Sequence, residues 1–404
     1  MSLSAASTEV IRATLPAVGA AIEDITALFY PKMFAAHPEL ERDLFNRGNQ
    51  KQGQQQKALA GAVAAFATLQ VSEDAPRTDL IMSRIANKHA SLGITADQYE
   101  IVHKYLFEAI VEVLGEAVTP EVAAAWNEVY WLMADTLIAM EHDLYASAGV
   151  ADGQVWHEVR VSRRVLQSAD TVSFVLSPVD GEALPSYLPG QYISVGVVLP
   201  DGARQIRQYS LVGAPSATDW QISVKAVPAD AEAGTPAGEV SNFLYDNVFE
   251  GDLIQVSMPF GDLVLEEGDS PLLLVSAGIG CTPMIGMLNH LATNDHGRRV
   301  SVLHADRSPS RHAHRAELTE LVQRIPFATM HRWYEDLGHR EEYGTTYRGR
   351  ADLSAIEIEA GTQVYLCGPM PFMLAVRESL LDRQVPAESI HYEVFGPDSW
   401  TATV

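Results

Sequence analysis

The hydrophobic pattern of the 404-residue chain changes twice along its length, and each part is typical of a different fold class. Up to about residue 147, apolar residues recur at the three- and four-residue spacing of amphipathic helices, and nothing alternates like a strand. Residues 155–265 contain short runs such as TVSFVLSP and QISVKAV, separated by Gly and Pro, which predict an antiparallel barrel. From residue 271, buried strands alternate with helices, which predicts a parallel α/β sheet.

These patterns predict a multidomain protein, for which the chain is long enough. We expect an all-α domain over residues 1–147, an antiparallel β-barrel domain over 152–266 and an α/β domain over 267–404. The first boundary falls in SAGVADGQ, where the helical pattern stops and Gly149 and Gly153 indicate a linker.

The charge and composition exclude several classes of protein. A formal net charge of −24 argues against a nucleic-acid partner and against anionic membrane surfaces. Cys281 and Cys367 are too few for a disulfide framework and suit a reducing cytosol. No apolar run approaches the roughly eighteen residues of a membrane span, and the N-terminal MSLSAASTEVIRATLP lacks the basic start of a secretory signal. We therefore expect a cytoplasmic protein with no integral membrane segment.

Two helix starts in the first domain carry capping signals. Thr95 and Gln98 form a T-x-x-Q capping box ahead of an apolar stripe. Thr119 and Pro120 combine a cap with a first-turn proline, and the stripe that follows includes Trp126.

A histidine lies on the apolar face of the helix before this capping box. Ile81, Ile85 and His89 stand at positions i, i+4 and i+8, so His89 points inward. Taken alone, such a histidine is more often a hydrogen-bonded core residue than a ligand.

Two further polar residues stand beside apolar stripes. Glu141 lies about 70° from the centre of its stripe on a helical wheel, where a flank residue is normally solvated. Gln55 leads a face that continues through Leu59, Val63 and Phe66, and by itself is a solvent-exposed helix end.

The strand LLLVS is followed by a glycine-rich turn, AGIGCTPM, at residues 277–284. Gly278 and Gly280 let the backbone approach a pyrophosphate, and Thr282 with Pro283 opens a helix whose amide dipoles face phosphates. Pro283 stands where the dinucleotide fingerprint has a third glycine, so the turn alone also fits a simple strand-to-helix connection.

A second turn, in YLCGPMPFM at residues 365–373, repeats this arrangement at Cys367, Gly368 and Pro369. Two such turns at one edge of a parallel sheet predict a ligand crevice.

In the barrel, IRQYSL at residues 206–211 offers Arg207 for a phosphate, Tyr209 for stacking and Ser210 as a polar tip. The alternative is an edge strand with one charge and a turn. PGQY at 189–192 and GEVSNFL at 238–244 favour a binding site, because the latter places Ser241 at a helix N-terminus suited to an anion.

The order of the motifs R-Q-Y-S, G-x-V-S-N, A-G-x-G-x-T-P and C-G-P-x-x-F-M resembles the ferredoxin–NADP reductase superfamily. In that superfamily an FAD-binding barrel precedes a nicotinamide-binding α/β domain. YEVFGP at residues 392–397 is similar to the ending of flavohaemoglobins, which carry a globin domain ahead of the reductase. The resemblance extends from residue 1 to about residue 398.

The resemblance implies a haem b site in the helical domain. His89 matches the proximal iron ligand, and Tyr99 and Glu141 match the pair that hydrogen-bonds it. Tyr30 and Gln55 match polar residues of the distal ligand pocket. The other residues implied to contact haem are Phe45, Leu59 and Lys88.

The resemblance also implies FAD and NAD(P)H sites. The residues implied for FAD are Tyr192, Arg207, Gln208, Tyr209, Ser210, Val240 and Ser241. The terminal Val394, Phe395, Gly396 and Pro397 are implied to cover the flavin, with Glu393 just before them near the route to the haem. Those implied for NAD(P)H are Gly278, Ile279, Gly280, Cys281, Thr282, Pro283, Cys367, Gly368 and Pro369. Two positions depart from the family pattern: relatives often have glutamine in place of Cys281 and cysteine in place of Val394.

The implied activity is that of a nitric oxide dioxygenase. NAD(P)H reduces FAD, FAD reduces the haem iron, and dioxygen at the haem oxidises nitric oxide to nitrate, so the expected partners are dioxygen, nitric oxide and NAD(P)H. One alternative is an NAD(P)H-dependent flavin reductase or oxidase with a secondary haem domain. Another is a haem sensor, against which the complete reductase argues. We expect a monomer.

Residues 304–315 bear on the choice between NADH and NADPH. Arg307, Ser308 and Arg311 stand where an adenosine 2′-phosphate would sit, but surface arginines after a strand are usually solvated. The sequence therefore favours NADH.

Overall fold

The computed structural model describes residues 3–51, 54–71, 78–179, 181–216, 218–231, 234–294 and 297–396. By their internal contacts these residues form two compact units. The first contains residues up to Trp156 together with the segment Gly196–Ile206, and the second contains His157–Val195 and Arg207–Gly396.

The N-terminal part of the first unit is helical, as predicted. Its helices are α1 (Ala5–Ala36), α2 (Pro38–Asp43), α3 (Arg47–Lys51), α4 (Gln54–Val71), α5 (Thr78–Leu92), α6 (Ala96–Leu114) and α7 (Pro120–Ser147).

Both predicted helix starts are present. Thr119 Oγ1 accepts a hydrogen bond from Val122 N at 3.4 Å, and Pro120 is the first residue of α7. Ahead of α6, Gln98 Oε1 accepts from Thr95 N at 3.1 Å, while the Thr95 hydroxyl donates to Asp97.

The helical core forms where α1 packs on α4, α6 and α7, and where α5 packs on α7. The predicted stripe of α7 is buried in it, including Trp126, Val129 and Leu137. The packing of α5 on α7 sets the helix of His89 beside the helix of Glu141.

The β-barrel lies mainly in the second unit, but its segment Gly196–Ile206 belongs to the first. Its strands are β1 (Trp156–Ser168), β2 (Thr171–Pro178), β3 (Tyr192–Val198), β4 (Arg204–Ser210), β5 (Trp220–Lys225) and β6 (Leu253–Ser257), and α8 (Glu239–Asn247) lies between β5 and β6. The strand order is β4-β3-β6-β1-β2-β5, and the ladders from β1 to β2 and from β2 to β5 are antiparallel. An antiparallel bridge between Leu211, just after β4, and Ile222 joins the two ends of this order, as a barrel requires.

The α/β region follows. Its elements are β7 (Leu272–Ala277), α9 (Cys281–Asn294), β8 (Val300–Asp306), α10 (Arg315–Arg324), β9 (Ala328–Tyr334), β10 (Thr346–Arg348), β11 (Gln363–Cys367), α11 (Met370–Asp382) and β12 (Ile390–Glu393). All described ladders of this sheet are parallel, in the order β10-β9-β8-β7-β11-β12.

The strand order of this sheet reverses beside β7. The chain moves outward from β7 through β8 and β9, then returns to place β11 on the other side. In open α/β sheets, the carboxyl ends of the strands at such a reversal form the ligand crevice.

Among the described residues, no helix has the length and apolarity needed to cross a membrane.

Candidate functional site

The first candidate site centres on His89, at the C-terminal end of α5. Its Nδ1 lies 2.8 Å from the hydroxyl of Tyr99 on α6 and 2.8 Å from Oε1 of Glu141 on α7. The Tyr99 hydroxyl donates to the same carboxylate oxygen at 2.5 Å. Three residues on three different helices therefore form one closed hydrogen-bonded network.

The network fixes which His89 nitrogen carries hydrogen. The Tyr99 proton is donated to Glu141, so the only donor left for the contact between Nδ1 and the carboxylate is Nδ1–H. Nε2 then has a free lone pair and no hydrogen-bond partner among the described residues. The His89 side chain is also 32% exposed although its helix packs in the core, so Nε2 is available as a metal ligand.

Glu141 is not the solvated flank residue that its sequence position alone suggests. Its side chain is only 3% exposed, and the two hydrogen bonds from His89 and Tyr99 compensate for its burial. Burial and the Glu141 carboxylate raise the pKa of Tyr99 far above its usual value, which keeps the phenol protonated as a donor. Tyr130 adds a bond of 2.6 Å to the Tyr99 carbonyl and so fixes that turn of α6.

Tyr30 and Phe45 come together in the helical core. Tyr30 is buried on α1, and its ring meets those of Phe34 and Phe45 at centroid distances of 5.7 and 5.9 Å. Phe34 and Phe45 are themselves 5.3 Å apart. Leu59 of α4 packs against the same core, whereas the side chain of Gln55 lies outside the described residues. Lys88 precedes His89 on α5 and is half-buried.

The second candidate site lies in the other unit, at the reversal of the parallel sheet. Gly278–Gly280 form a 3₁₀ turn after β7, and α9 starts at Cys281, slightly earlier than predicted. Thr282 and Pro283 therefore lie inside its first turn, where proline is tolerated because that N–H has no intrahelical partner. Thr282 and Pro283 are buried, and Ile279 is half-buried.

The two predicted turns are in direct contact. A Cβ placed on Gly280 would lie 2.5 Å from the carbonyl oxygen of Cys367 and 2.8 Å from the nitrogen of Gly368, so only glycine fits. Gly368 likewise packs against Ala277. Gly278, by contrast, has a left-handed φ of +55° and open space in front of its Cα. A ligand can approach the backbone at Gly278, while Gly280 holds the two turns together.

The cysteines of these turns are both buried free thiols. Burial raises the pKa of Cys281 to about 12 and that of Cys367 well above its usual range. Cys367 is followed by Pro369, which caps α11. The two thiols therefore serve as small packing groups.

The C-terminal strand brings Glu393 to the same edge. In the parallel ladder between β11 and β12, Cys367 pairs with Glu393, and the carboxylate contributes to the raised pKa of Cys367. Val394 and Gly396 follow half-buried, and Phe395 is 49% exposed. Pro397 lies outside the described residues.

The barrel residues predicted for FAD lie on adjacent strands. Gln208 of β4 donates to Ser194 Oγ of β3 at 2.9 Å, Arg207 and Tyr209 are half-buried, and Ser210 is buried. Burial raises the pKa of Tyr209 above its usual value.

Three further predicted residues border these strands. A Cβ on Gly261 would lie only 3.1 Å from the ring of Tyr192, so this glycine leaves room for the aromatic side chain. Val240 is fully buried in the first turn of α8, and Ser241 is half-buried beside it.

The side chains that could meet a 2′-phosphate are engaged elsewhere or exposed. Arg311 Nη1 lies 3.3 Å from Asp170 Oδ2, and the Ser308 hydroxyl bonds Ser310. Arg307 is exposed.

A buried histidine pair beside this edge was missed by the sequence reasoning. The rings of His304, at the end of β8, and His312 stack at 3.8 Å. His304 Nδ1 bonds Ser276 Oγ at 2.9 Å and His312 Nδ1 bonds the Tyr334 hydroxyl at 2.7 Å. Burial lowers the pKa of both histidines, which keeps them neutral. The histidine-rich segment HADRSPSRHAH, which spans the end of β8 and the residues after it, was only a weak sequence signal for this pair.

Family models match three parts of the chain. The Globin model matches residues 27–137, the Oxidoreductase FAD-binding domain model matches residues 158–264, and the Oxidoreductase NAD-binding domain model matches residues 274–378.

Named relatives and solved structures match the chain over most of its length. A flavohemoprotein of Bordetella pertussis is 45% identical over 397 residues, which is 96% of both chains. A crystal structure of a flavohemoglobin from Malassezia yamatoensis with bound FAD and heme has a TM-score of 0.89 at 36% identity, and covers 98% of this chain and 100% of that one. The FAD/NAD-binding domain of a nitric oxide dioxygenase from Vibrio cholerae has a TM-score of 0.55 at 35% identity, and covers 60% of this chain and 100% of that domain.

Proposed function

The chain belongs to the flavohemoprotein family and is an oxidoreductase, and we propose that it is an NAD(P)H-dependent nitric oxide dioxygenase. The reaction consumes two nitric oxide and two dioxygen for each NAD(P)H, and yields two nitrate, NAD(P)⁺ and one proton. The observation that carries the proposal is the network of His89, Tyr99 and Glu141. A purely flavin-dependent reductase would have no use for a buried carboxylate paired with a histidine whose second nitrogen is free.

The residues of the helical unit fit a haem. We propose that His89 Nε2 binds the iron, and that Phe45, Leu59 and Lys88 contact the haem. When bound, haem supplies an iron that holds dioxygen and changes charge by one electron, and FAD converts two-electron nicotinamide chemistry into single-electron steps.

Glu141 and Tyr99 act through His89. The Glu141 carboxylate accepts the Nδ1 hydrogen and so makes the imidazole a stronger electron donor, while Tyr99 holds the carboxylate in place. A more electron-rich iron site favours oxidative chemistry over reversible storage of dioxygen.

Tyr30 and Gln55 are proposed to bind the gaseous substrates. A hydroxyl and an amide donate hydrogen bonds to a partly anionic oxygen, and such bonds strengthen where water is excluded. The aromatic cluster of Tyr30, Phe34 and Phe45 supports this proposal because it keeps that side of the core apolar.

The second unit is proposed to hold the other two cofactors. FAD would be held by Tyr192, by Arg207–Ser210 on β4, by Val240 and Ser241 of α8, and by the segment Glu393–Pro397. NAD(P)H would bind at Gly278–Pro283 and Cys367–Pro369, and the contact of Gly280 with Cys367 at a reversal of strand order supports this assignment.

We also propose the boundaries 1–147, 152–266 and 267–404 for the three domains, and a cytoplasmic location. The ranges matched by the family models fall inside these boundaries and support them. The free thiols of Cys281 and Cys367 support a reducing compartment.

The proposal is tested by measuring what the purified protein consumes. Given NAD(P)H, it should remove nitric oxide and dioxygen one for one, form nitrate, and oxidise half an equivalent of NAD(P)H per nitric oxide. If nitric oxide only inhibits, with no nitrate formed and peroxide accumulating from NAD(P)H, the protein is a flavin oxidase instead.

A further inference from the structure

Gln205 is a buried amide that no motif of the sequence singles out. It lies on β4, two residues before Arg207, and is only 1% exposed. The segment Gly196–Ile206 that contains it belongs to the first compact unit, with the helices. A buried amide requires hydrogen-bond partners, and those of Gln205 all belong to backbone groups.

These partners lie mainly on the turn between α2 and α3. Gln205 Nε2 donates to the carbonyl oxygens of Arg42 at 3.1 Å and Phe45 at 3.2 Å, and Gln205 Oε1 accepts from Arg47 N at 3.3 Å. A further, longer contact of Nε2 reaches the adjacent Arg204 carbonyl at 3.4 Å. The Gln205 side chain is therefore hydrogen-bonded to both ends of this turn, at Arg42 and Arg47, and to its middle, at Phe45.

The turn carries Phe45, whose ring meets those of Tyr30 and Phe34. The backbone carbonyl of Phe45 accepts from Gln205, so that amide holds the stretch of backbone from which the Phe45 ring projects. A continuous series of contacts thus runs from Gln205 through Phe45 to Tyr30.

Neighbouring contacts hold Gln205 itself in place. Arg204 N donates to Asp43 Oδ1 at 3.2 Å, and the Arg204 guanidinium stacks 4.0 Å from the ring of Trp156. On the exposed side, Arg47 Nη1 donates to Asp201 Oδ2 at 2.6 Å. The carboxylate of Asp201 is 55% exposed, so this ion pair adds little compared with the buried amide.

We infer that Gln205 is a positioning residue for the gas-binding pocket, because its amide fixes the turn from Arg42 to Arg47 and holds the Phe45 ring against Tyr30. The inference rests on the proposed function, since it concerns the pocket assigned there to dioxygen. It adds a residue outside the helices to the determinants of that pocket.

The amide is required in this role, and a carboxylate of the same size does not replace it. Glutamate at this position would direct an oxygen without hydrogens at the carbonyls of Arg42 and Phe45, which repel it. Once protonated, the same side chain has one O–H and restores one of the two donated bonds. The charged groups around the position are Arg42, Asp43, Arg47, Asp201 and Arg204, and their charges stay fixed across neutral and mildly acidic pH.

The test uses the full-length protein carrying its haem, in the variants Gln205→Leu and Gln205→Glu. Asp201→Asn is the matched control, because it alters an exposed contact to the same turn and keeps an oxygen acceptor for Arg47. The readouts are the C–O stretching band of the carbon monoxide complex and the rate of dioxygen release. Both report on groups next to the bound gas, and neither responds to global stability in a folded protein.

We expect Gln205→Leu to broaden or split the C–O band and to speed dioxygen release about fivefold, a change equal in size to the loss of one ordinary hydrogen bond at the bound gas. Gln205→Glu should do the same at neutral pH and return toward the wild-type band as the pH is lowered. Asp201→Asn should match the wild type. FAD content should be unchanged in all three variants.

Two results overturn the inference. One is a Gln205→Leu protein that melts earlier but keeps the wild-type band and release rate. If Gln205→Leu yields no protein with bound haem, Gln205→Glu provides the test instead. A C–O band of Gln205→Glu that matches the wild type at every pH then overturns the inference. A wild-type protein without a haem absorption band would contradict the proposed function as well, so the two failures are distinguishable.

Discussion

His89 Nδ1 and Glu141 Oε1 are 2.8 Å apart although the residues are 52 positions apart in the sequence. The contact joins α5 to α7, and it turns the Glu141 side chain inward from the solvated flank that a helical wheel gives it, while His89 keeps its inward position. It is the structural basis of the first prediction.

Glu141→Gln keeps the size of the side chain and removes its charge. We expect nitric oxide turnover to fall about tenfold to a hundredfold, as for other changes behind a metal ligand. Haem content and reduction of ferricyanide by NAD(P)H should stay at wild-type levels. His89→Ala is the reference variant, and it should lose or loosen the haem while FAD stays. Unchanged turnover in Glu141→Gln would show that its charge plays no part in the reaction.

Tyr30→Phe removes one hydroxyl and leaves the aromatic cluster with Phe34 and Phe45 in place. A hydrogen bond to a partly charged ligand is worth about 1.5–3 kcal/mol, so dioxygen release should become about tenfold to a hundredfold faster. Stopped-flow measurement of that rate checks the prediction, with quinone reduction by NAD(P)H as the control that should not change. An unaltered release rate would remove Tyr30 from the gas-binding site.

Gly280→Ala would place a Cβ 2.5 Å from the backbone carbonyl oxygen of Cys367, which cannot move aside. The displaced turns should slow flavin reduction by NAD(P)H about a hundredfold, because a shift of about 1 Å has that effect on a positioned reactant. Carbon monoxide binding to the haem should be unaffected.

Gly19→Ala is the matched control for that variant. Gly19 lies in α1 with nothing within 4 Å of the added Cβ and no left-handed φ, so the same substitution should leave flavin reduction unchanged and slightly stabilise the protein. Equal rates of flavin reduction in both variants would contradict the assignment of the turn at Gly280.

The thiols of Cys281 and Cys367 should be inert in the folded protein. With a pKa of about 12, Cys281 is almost entirely protonated at pH 8, and only the thiolate reacts with alkylating agents. We expect no labelling at pH 8 in buffer and labelling of both cysteines in concentrated urea. Rapid labelling of the native protein would contradict the burial of these turns.

The raised pKa of Cys281 also sets a pH dependence of stability. An unfolded cysteine ionises near pH 8.5, well below the folded Cys281, whose pKa is raised by burial to about 12. The unfolded state therefore loses its proton first, so this contribution to stability is fully present below about pH 8 and is lost progressively as the pH rises toward 12. We expect the free energy of unfolding in urea to fall less between pH 7 and pH 10 for Cys281→Ala than for the wild type. An equal loss in both proteins would contradict this assignment.

Much of the architecture could be predicted from local patterns. The spacing of apolar residues predicted the helices of the first unit, and the alternation of strands and helices predicted the parallel sheet. Caps such as Thr119 and Pro120 could be located because a capping bond joins residues only a few positions apart. The motif order predicted the family, which the full-length relatives confirm.

The candidate site was predictable only in part. His89 could be proposed from the family resemblance, but its sequence position alone favoured an ordinary core residue. The pairing of Cys367 with Glu393, and the stacking of His304 on His312, had no local signal strong enough to identify them. Gln205 had none at all, because its partners are about 160 positions away.

The sequence by itself determined which segments are helices and strands, where the capped helices start, and which strand-to-helix turns carry glycines. Those properties depend on residues within one or two turns of each other, so a linear pattern contains them. Only the tertiary structure decided that Glu141 points inward to His89, that Gly280 touches Cys367, and that Gln205 holds Phe45. Each of these contacts depends on how two distant segments pack, and a buried polar group takes whichever partner that packing brings within reach.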